Sequence, residues 1–554
     1  MLPLLADTVE VFFPPGGRVL ALVLLVTILL WFRSKLARQK LISPIPGVEM
    51  VPGGHWFYGH IKHVMGPIKV GDTDYFDQLF VDYANEQGLC CAHYMEPAIS
   101  VLSAKHARTI LRQTSRRGAV KMIQRHSKQT LGQQSLILQS GGSDWKRQRG
   151  LVQYAMTADA IAEHNPIIIE VANAMVTALT NVCKAESNGV MELDVVHIAQ
   201  CFTLEAFGKL ALGHDFHCFS DSGIMRSREA EAFAFLVNDI PKRSCPSAVF
   251  NPLLQMYFLP TAYNRRYKME RGIVESLLSS VIKQAKDEFA ASSKRDSSKS
   301  SNSKGGSSKK TRDNLLTHII RASTDNSDDN LVDMMKTILF AGYETTAITI
   351  TFVLYNLTKY PEMQELCCAE ARRILQRDDS ITISDLRYTR AVILESMRLN
   401  PTVVWTSRNL TKTINLDGFE IPKGLRVVIP LTKLLVDERN FERAKEFIPT
   451  RWVRWNEEKN EWVERDHRKE STDQSPEAVS AADPANFLAF SDGARDCVGK
   501  RLAMNESTVA LASLMKHFRV SYDESKPVEM KRRLTSWFPH ELHINFHLRD
   551  DNAE

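Results

Sequence analysis

Cys497 differs from the other cysteines of this 554-residue chain in the residues that surround it. It lies in the segment FSDGARDCVG, residues 490–499, after Arg495 and before Gly499. The arginine and a helical pattern that begins at about Lys500 both favour a thiolate over a thiol. Glycine lets the backbone turn tightly and approach a flat group closely. These neighbours suit a thiolate on haem iron, with Arg495 directed at a haem propionate; the alternative is a buried structural thiol.

A second segment that could carry chemistry reads AGYETT, residues 341–346, within a long apolar stretch. A glycine inside a helix costs about 1 kcal/mol relative to alanine, so Gly342 calls for a reason. A small residue lets dioxygen or a substrate approach the helix, and Glu344 and Thr345 can transfer protons. Taken alone, such a threonine more often bonds to its own helix backbone. The presence of Cys497 in the same chain favours the catalytic interpretation.

The spacing of residues around Cys497 resembles the haem-binding loop of the cytochrome P-450 family. The match comprises Phe490, Gly493, Arg495, Cys497 and Gly499. The resemblance implies that Cys497 binds the iron of haem b and that the other four residues contact or shape the haem site. The segment AGYETT resembles the oxygen-activation stretch of the same family, which implies catalytic roles for Glu344 and Thr345.

Further segments resemble motifs that contact the haem propionates. Trp145 and Arg149 are spaced as in the W-x-x-x-R helix of the family, and the spacing places both on one helical face. Arg408 occupies a position at which many relatives carry another propionate partner. The resemblance therefore implies that these three residues bind the cofactor.

Glu395 and Arg398 resemble the E-x-x-R helix of the family, and Arg451 in FIPTRW resembles the arginine that joins this pair. A carboxylate between two guanidiniums is a reasonable buried lock, because an unpaired buried charge is costly. We expect these residues to be structural rather than catalytic. Ala444 stands where many relatives carry proline, and we expect this difference to be harmless.

The chain is predicted to be mainly helical with small β-sheets, and the resemblance implies the cytochrome P-450 fold over residues 41–554. One helix is predicted over about 329–360 and another over about 386–399, each followed by a proline. The alternating pattern of residues 414–431, with its Asp-Gly and Lys-Gly turns, predicts a small sheet.

Two polar segments are expected to be flexible insertions, at about 290–314 and about 456–483. The first is rich in serine, lysine and glycine. Such a composition cannot bury enough apolar surface to fold. A membrane-touching role for its basic residues is the alternative to a solvated linker.

Residues 1–40 are predicted to form a membrane anchor with a basic flank. The uncharged run VLALVLLVTILLWF, residues 19–32, covers about 21 Å as a helix, against a hydrocarbon core of about 30 Å, and the apolar residues upstream extend it. The four basic residues that follow place the rest of the chain in the cytosol by the positive-inside rule. We expect a single transmembrane helix in the endoplasmic reticulum membrane; a cleaved signal peptide is the alternative.

Composition limits the other classes of function. The formal net charge is only +5, which gives no argument for nucleic-acid binding. The 9 cysteines are odd in number and form no C-x-x-C pair, so neither a disulfide framework nor a structural zinc site is indicated.

The resemblance implies a haem-thiolate monooxygenase that inserts one oxygen atom of O2 into a hydrophobic small molecule: a fatty acid, sterol or terpenoid. It implies electrons from NADPH through a separate reductase, with cytochrome b5 as a further candidate partner. Two alternatives stay open. One is a non-enzymatic membrane haem sensor or carrier, and the other is an O2-independent haem-thiolate isomerase.

Overall fold

The computed structural model describes residues 31, 45, 48, 67–69, 84–93, 97–114, 116, 127–186, 189–220, 223–244, 257–298, 314–323, 327–375, 383–466, 482–526, 528–532, 535–537 and 541–549. The predicted anchor lies outside these residues except for Trp31, which is helical and exposed.

Helices form most of the described chain. They are α1 (Ala104–Gln113), α2 (Ser143–Ala155), α3 (Ala158–Ala185), α4 (Val195–Leu212), α5 (Arg228–Ser244), α6 (Ala262–Ser298), α7 (Leu315–Ala322), α8 (Asp328–Thr358), α9 (Pro361–Leu375), α10 (Arg387–Leu399), α11 (Leu431–Leu434) and α12 (Lys500–His517). The two helices predicted from sequence correspond to α8 and α10 within two residues at each end.

The strands are short and form several small sheets. They are β1 (Pro67–Lys69), β2 (Leu89–His93), β3 (Pro97–Val101), β4 (Val190–Asp194), β5 (Phe219–Ser220), β6 (Gly223–Ile224), β7 (Trp405–Asn409), β8 (Ile414–Leu416), β9 (Phe419–Ile421), β10 (Arg426–Pro430), β11 (Val453–Asn456), β12 (Glu461–Glu464), β13 (Phe518–Ser521), β14 (Glu529–Arg532), β15 (Ser536–Trp537) and β16 (His543–Leu548). The largest sheet has the order β2-β3-β10-β7, in which β10 runs parallel to β3 and antiparallel to β7. Two three-stranded sheets have the orders β1-β14-β15 and β13-β16-β4. The segment predicted as one small sheet is divided between the β8–β9 hairpin and β10.

Helix α8 runs through the core and is buried on nearly all sides, as its continuous apolar pattern predicts. Asp328 and Asp329 lie in its first turn, where negative charge interacts favourably with the helix dipole. The helix packs against α4, and a Cβ added to Gly342 would lie 2.6 Å from the ring of Phe207. Close packing of two helices therefore supplies a reason for this internal glycine.

The carboxylate of Glu395 is the centre of a buried lock that fixes α10. It accepts hydrogen bonds from Arg398 Nη2 at 2.8 Å and from Arg451 Nε at 3.0 Å. The indole Nε1 of Trp452 donates to it at 2.9 Å and the backbone N–H of Ile448 at 2.9 Å. The predicted pairing of one carboxylate with two guanidiniums is present, and the sequence did not indicate the indole.

Ala444 takes part in this lock through its backbone carbonyl, which accepts a hydrogen bond from Arg398 Nη1. The same guanidinium nitrogen donates to Leu435 O at 2.9 Å. A backbone carbonyl is available whichever side chain the residue carries, so this contact does not depend on proline at position 444.

Two segments predicted as flexible contain regular structure. Helix α6 continues to Ser298, eight residues beyond the predicted start of the first insertion at about 290. Strands β11 and β12 pair as a hairpin, so residues 456–464 of the second predicted insertion are ordered. Residues 299–313 and 467–481 lie outside the described residues.

Three of the described helices, α3, α4 and α8, are long and apolar enough to cross a membrane by length and composition. Helices α4 and α8 are the most buried of the three. The share of their most apolar segment that lies inside the protein is 78% for α4 and 83% for α8. Their apolar residues therefore form the core that surrounds the site.

Candidate active site

The loop that carries Cys497 is held by its own backbone. Residues 493–495 form a single 3-10 turn, and the backbone N–H of Cys497 donates to Phe490 O at 2.9 Å. Gly493 has a φ of 75°, in the left-handed region that favours glycine, and a Cβ there would collide with the carbonyl of Leu111 on α1. Gly499 has open space where a Cβ would project. Gly493 thus permits the turn and the packing on α1, while Gly499 leaves room beside Cys497.

Asp492 ties this loop to α1. Its carboxylate accepts hydrogen bonds from Arg108 Nε at 3.2 Å and Arg112 Nε at 3.0 Å, and from the backbone N–H of Gly493 at 2.6 Å. Partial burial opposes ionisation, but these donors keep the pKa of Asp492 below its usual value. The loop is therefore anchored to α1 through Asp492.

Cys497 borders two adjoining cavities between this loop and α8. The larger has a volume of about 300 Å³, and Trp145, Arg149, Arg408, Phe490 and Arg495 are among its lining residues. The smaller has a volume of about 120 Å³. The structure thus brings together most of the site residues predicted from sequence.

The cationic side chains of the larger cavity are held by specific contacts. Arg495 stacks on the indole of Trp145, with Cζ 3.9 Å from the ring centroid. Arg149 pairs with the carboxylate of Asp496 and donates to its backbone oxygen at 3.0 Å. The guanidinium of Arg408 is buried and donates from Nη1 to Thr406 Oγ1 at 3.0 Å. Three guanidiniums therefore surround one apolar-walled space, which is an environment suited to an anion.

Thr345 faces both cavities from α8. Its hydroxyl donates to Ala341 O at 2.7 Å, which is the backbone bond that commonly occupies a threonine within a helix. Thr349, one turn further along, lies 3.0 Å from Thr402 through their hydroxyl oxygens. These hydroxyls provide polar atoms along an otherwise apolar face.

Glu344 lies apart from Thr345. Its side chain is buried, and Thr535 Oγ1 donates to Glu344 Oε1 at 3.3 Å. Glu344 is not among the described residues that line either cavity around Cys497. Neighbouring positions on a helix point about 100° apart, and here Thr345 and Thr346 line the cavities whereas Glu344 contacts Thr535. The structure therefore does not bring the two predicted catalytic residues together.

Glu506 on α12 is an acidic residue of the site that sequence reasoning missed. It is 1% exposed and lines the smaller cavity with Thr345, Thr346 and Cys497. Burial raises the pKa of its carboxyl to about 8, against a smaller opposite effect of the nearby Thr346 hydroxyl. Neither Glu506 Oε1 nor Thr346 Oγ1 makes a direct hydrogen bond of normal geometry within the described part of the chain. A cavity of this volume has room for water between them.

A signal for Glu506 was present in the sequence. Leu502 and Ala503 precede it by four and three residues, so the three share one face of α12. A carboxylate on an otherwise apolar helical face calls for a reason.

The Cys497 thiol is open to the cavities and otherwise closely surrounded by protein. Burial raises its pKa, and the carboxylate of Asp496 acts in the same direction. The backbone N–H of Gly499 and the charges of Arg149 and Lys500 act the other way without overcoming burial. The positive neighbours expected to stabilise a thiolate are present, but the protein alone favours the thiol. A bound cation would reverse this balance.

Comparison with known proteins assigns the chain to a family. The model of the family named Cytochrome P450 matches residues 51–544. The chain belongs to the cytochrome P450 family. The match spans the Cys497 loop, α8 and the Glu395 lock, which together build the site described above.

Three relatives of this cytochrome P450 are similar to it along most of their length. Human cytochrome P450 4X1 is 25% identical over 521 residues, which is 92% of this chain and 91% of the relative. Human cytochrome P450 4F12 is 26% identical over 492 residues, 86% of this chain and 85% of the relative. Mouse leukotriene-B4 omega-hydroxylase 3 is 27% identical over 501 residues, 87% and 86% of the two chains.

Membership identifies this cytochrome P450 as a monooxygenase whose cofactor is haem with a cysteine thiolate on the iron. The larger cavity fits that cofactor. It presents one cysteine, three guanidiniums and an indole around a largely apolar space, and Gly499 leaves room beside the sulfur. The same cavity is thus lined by a sulfur that can bind iron and by cations that can bind the two propionate carboxylates of haem.

Proposed function

We propose that this cytochrome P450 oxidises hydrophobic small molecules at a haem held in the larger cavity, with electrons from NADPH delivered by a separate reductase. The observation that carries the proposal is the convergence of Cys497, the three guanidiniums and Thr345 on one cavity of about 300 Å³. Neither a structural thiol nor a simple ion-pair network accounts for that combination.

Cys497 would bind the haem iron through Sγ. Arg408 and Arg495 would bind the propionates, and Trp145 would orient Arg495 through the observed stacking. Arg149 would also contribute to propionate binding. Its guanidinium would then be shared between a propionate and Asp496, its present partner, or would exchange Asp496 for the propionate. Phe490 and the glycines at 493 and 499 would shape the loop around the cofactor. When bound, the haem supplies the activation of dioxygen, and the protein supplies the ligand, the protons and a water-poor pocket.

Proton supply is assigned to Thr345 and Glu506. The high pKa of Glu506 keeps a proton on its carboxyl at neutral pH, and the smaller cavity joins it to the Thr345 and Thr346 hydroxyls. Thr345 Oγ1 would hold a proton at the boundary of the two cavities. The sequence assigns this role to Glu344, which remains the alternative.

Two isosteric variants separate these carboxyls. Glu506→Gln is expected to lower product formed per NADPH consumed by ~10-fold or more, because a positioned general acid typically contributes about 10²–10⁴-fold. Glu344→Gln is the matched control and is expected to have a smaller effect. The opposite order would return the role to Glu344.

The substrate is proposed to be a fatty acid, a sterol or a terpenoid. The lining residues of the larger cavity also include Met397, Val403, Leu431 and Ala489, which are apolar. The name of the mouse relative, leukotriene-B4 omega-hydroxylase 3, specifies a lipid substrate and favours the fatty-acid class among the three.

A location in the endoplasmic reticulum membrane, through one N-terminal helix, completes the proposal. The uncharged run at residues 19–32 and the basic residues after it support this topology. On the proposed electron-transfer face, Lys146, Arg147, Lys500 and Arg501 are exposed, and Arg149 joins α2 to the Cys497 loop. A reductase or cytochrome b5 with an acidic surface would dock there.

The test of the whole proposal is reconstitution of the full chain with haem, an NADPH-dependent reductase and a panel of lipids. We expect the reduced-CO absorption typical of thiolate ligation, and NADPH-dependent oxygen consumption that yields a product one oxygen atom heavier. Haem binding without lipid oxidation would favour the sensor or carrier. Conversion of a lipid peroxide without NADPH or O2 would favour the isomerase.

A further inference from the structure

Three threonine side chains from two parts of the chain form a row at the larger cavity. Thr345 and Thr349 are one helical turn apart and share a face of α8. Thr402 lies between α10 and β7, and its hydroxyl oxygen is 3.0 Å from that of Thr349. All three residues line the cavity, and Thr349 and Thr402 are buried. This threonine row is a polar contact offered to a ligand of a largely apolar space.

The direction of each hydrogen bond in the row follows from the number of protons. A hydroxyl has one proton, and a carbonyl oxygen can only accept. Thr345 therefore donates its proton to Ala341 O at 2.7 Å, and Thr349 donates its proton to Thr345 O at 2.9 Å. Because the Thr349 proton is engaged, the proton between Thr349 and Thr402 belongs to Thr402. All three protons of the row are thus directed at acceptors of the protein.

The row therefore offers lone pairs to a ligand. A hydroxyl oxygen can accept two hydrogen bonds. Thr349 Oγ1 accepts one from Thr402 and keeps one lone pair. Thr402 Oγ1 receives no hydrogen bond from the residues that the structure describes, so both of its lone pairs remain. The row presents acceptors rather than donors, and Thr402 is its main acceptor.

The residues on both sides of Thr402 hold it in place. Val403 pairs with Thr535 in an isolated antiparallel bridge. Pro401 precedes Thr402, and its ring fixes its own φ. A group that is already fixed loses little conformational entropy when a ligand binds, so its hydrogen bond contributes more to affinity.

We propose that Thr349 and Thr402 are specificity-determining residues that select an apolar alcohol, whose O–H donates to Thr402 Oγ1. An ether or carbonyl oxygen at the same place would face a second acceptor with no proton between them, and both oxygens would lose their hydrogen bonds to water. The row thus favours substrates with a hydroxyl group: sterols, terpene alcohols and hydroxylated fatty acids. This inference rests on the proposed function for its site and narrows the substrate class.

The test compares two isomeric ligands of the haem-loaded full chain, decanol and nonyl methyl ether, of which only decanol can donate. Dissociation constants are measured by equilibrium dialysis without NADPH or reductase. The readout is the ratio of the ether constant to the alcohol constant, because differences in ligand solubility cancel when variants are compared. Thr402→Val removes the acceptor and keeps the shape of the side chain. We expect it to weaken alcohol binding and to lower the ratio by about 2–10-fold, the range for the net contribution of one hydrogen bond.

Thr349→Val separates this proposal from a merely structural role, because it changes the other ligand. The variant removes the acceptor that holds the Thr402 proton, so that this proton can turn toward the ligand. We therefore expect the ether to bind more tightly than it binds to the parent. Thr351→Val is the matched control: Thr351 Oγ1 donates to Ala347 O at 2.9 Å, and Thr351 is not among the described residues that line either cavity. Its ratio is expected to equal that of the parent.

Haem spectra recorded on the same samples show whether the alcohol oxygen binds the iron. An alcohol preference that survives Thr402→Val, or that comes from ligation to iron, would overturn the proposal and leave the monooxygenase assignment intact. So would an unchanged affinity for the ether in Thr349→Val. Absence of NADPH-dependent oxidation in protein that shows the expected ratios would support the alcohol site and contradict the proposed function alone.

Discussion

Trp452→Phe removes one donor from the buried Glu395 lock and leaves the rest in place. The indole Nε1 donates to Glu395 Oε2 at 2.9 Å, whereas Arg398, Arg451 and the Ile448 N–H still serve the carboxylate in the variant. A hydrogen bond to a charged group contributes about 1.5–3 kcal/mol. Removal of one ion-pair partner of a buried charge costs more, about 3–5 kcal/mol, and removal of both partners would cost more still. We therefore expect a loss of about 2–3 kcal/mol in the free energy of unfolding.

A row of aromatic rings in edge-to-face contact connects the lock to the haem loop. Trp452 meets Phe487 edge to face with ring centroids 5.3 Å apart, and Phe487 meets Phe490 at 6.3 Å. Phenylalanine at position 452 keeps an aromatic ring in this row. We therefore expect the reduced-CO spectrum of the folded variant to match that of the parent while its stability falls.

The measurement is urea unfolding of the haem-loaded chain, followed by circular dichroism and by the haem absorption. Trp455→Phe is the matched control, because Trp455 is 38% exposed on β11 and contacts Trp462 rather than the lock. Its expected effect is within about 0.5 kcal/mol. Equal free energies of unfolding for the two variants would refute the assignment of the indole to the lock.

Four further predictions follow from the site. Cys497→Ser is expected to abolish the reduced-CO absorption typical of thiolate ligation; retention of that absorption would contradict the assigned ligand. Thr345→Ala is expected to leave haem binding intact and to divert reducing equivalents to peroxide, measured as peroxide per NADPH, and an unchanged ratio would exclude this hydroxyl. Burial raises the pKa of Glu506 from 4.5 to about 8, so its stabilising contribution is complete below pH 4.5 and is lost as pH rises through about 8; Glu506→Gln is expected to flatten this part of the stability curve, and an unaltered curve would contradict the assigned pKa. Lys146→Glu with Lys500→Glu is expected to slow the first electron transfer from the reductase, most at low ionic strength, whereas equal rates at low salt would exclude this docking face.

Local motifs predicted the parts of the molecule that depend on short-range spacing. The helices around Glu344 and Glu395 were predicted with the prolines that follow them as end signals, and both exist. The Glu395 lock was predicted because one carboxylate and two guanidiniums need each other when buried. The Trp452 indole escaped prediction, since an aromatic residue carries no sign of whether its N–H is used.

Composition was a weaker guide to the polar segments. The serine- and lysine-rich stretch was expected to be flexible from about 290, but α6 continues to Ser298. Helix already formed can extend into a polar sequence at little cost, because each added residue gains one backbone hydrogen bond without a new nucleation step. The β11–β12 hairpin is similarly formed in a segment expected to be an insertion, and Trp455 and Trp462 meet edge to face across it.

The source of protons shows most clearly what a motif leaves undetermined. The pattern AGYETT makes Glu344 and Thr345 neighbours in sequence, but adjacent side chains on a helix diverge by about 100°. Thr345 lines the cavities, while Glu344 contacts Thr535, the residue before β15. The carboxyl that shares a cavity with Thr345 is Glu506, from a helix more than 140 positions further along the chain. Burial gives that group the proton affinity that an exposed acid lacks at neutral pH. The relay that we propose between α8 and α12 therefore requires the tertiary fold, because the sequence marks Glu506 as an acid on an apolar helical face but does not place it beside Thr345.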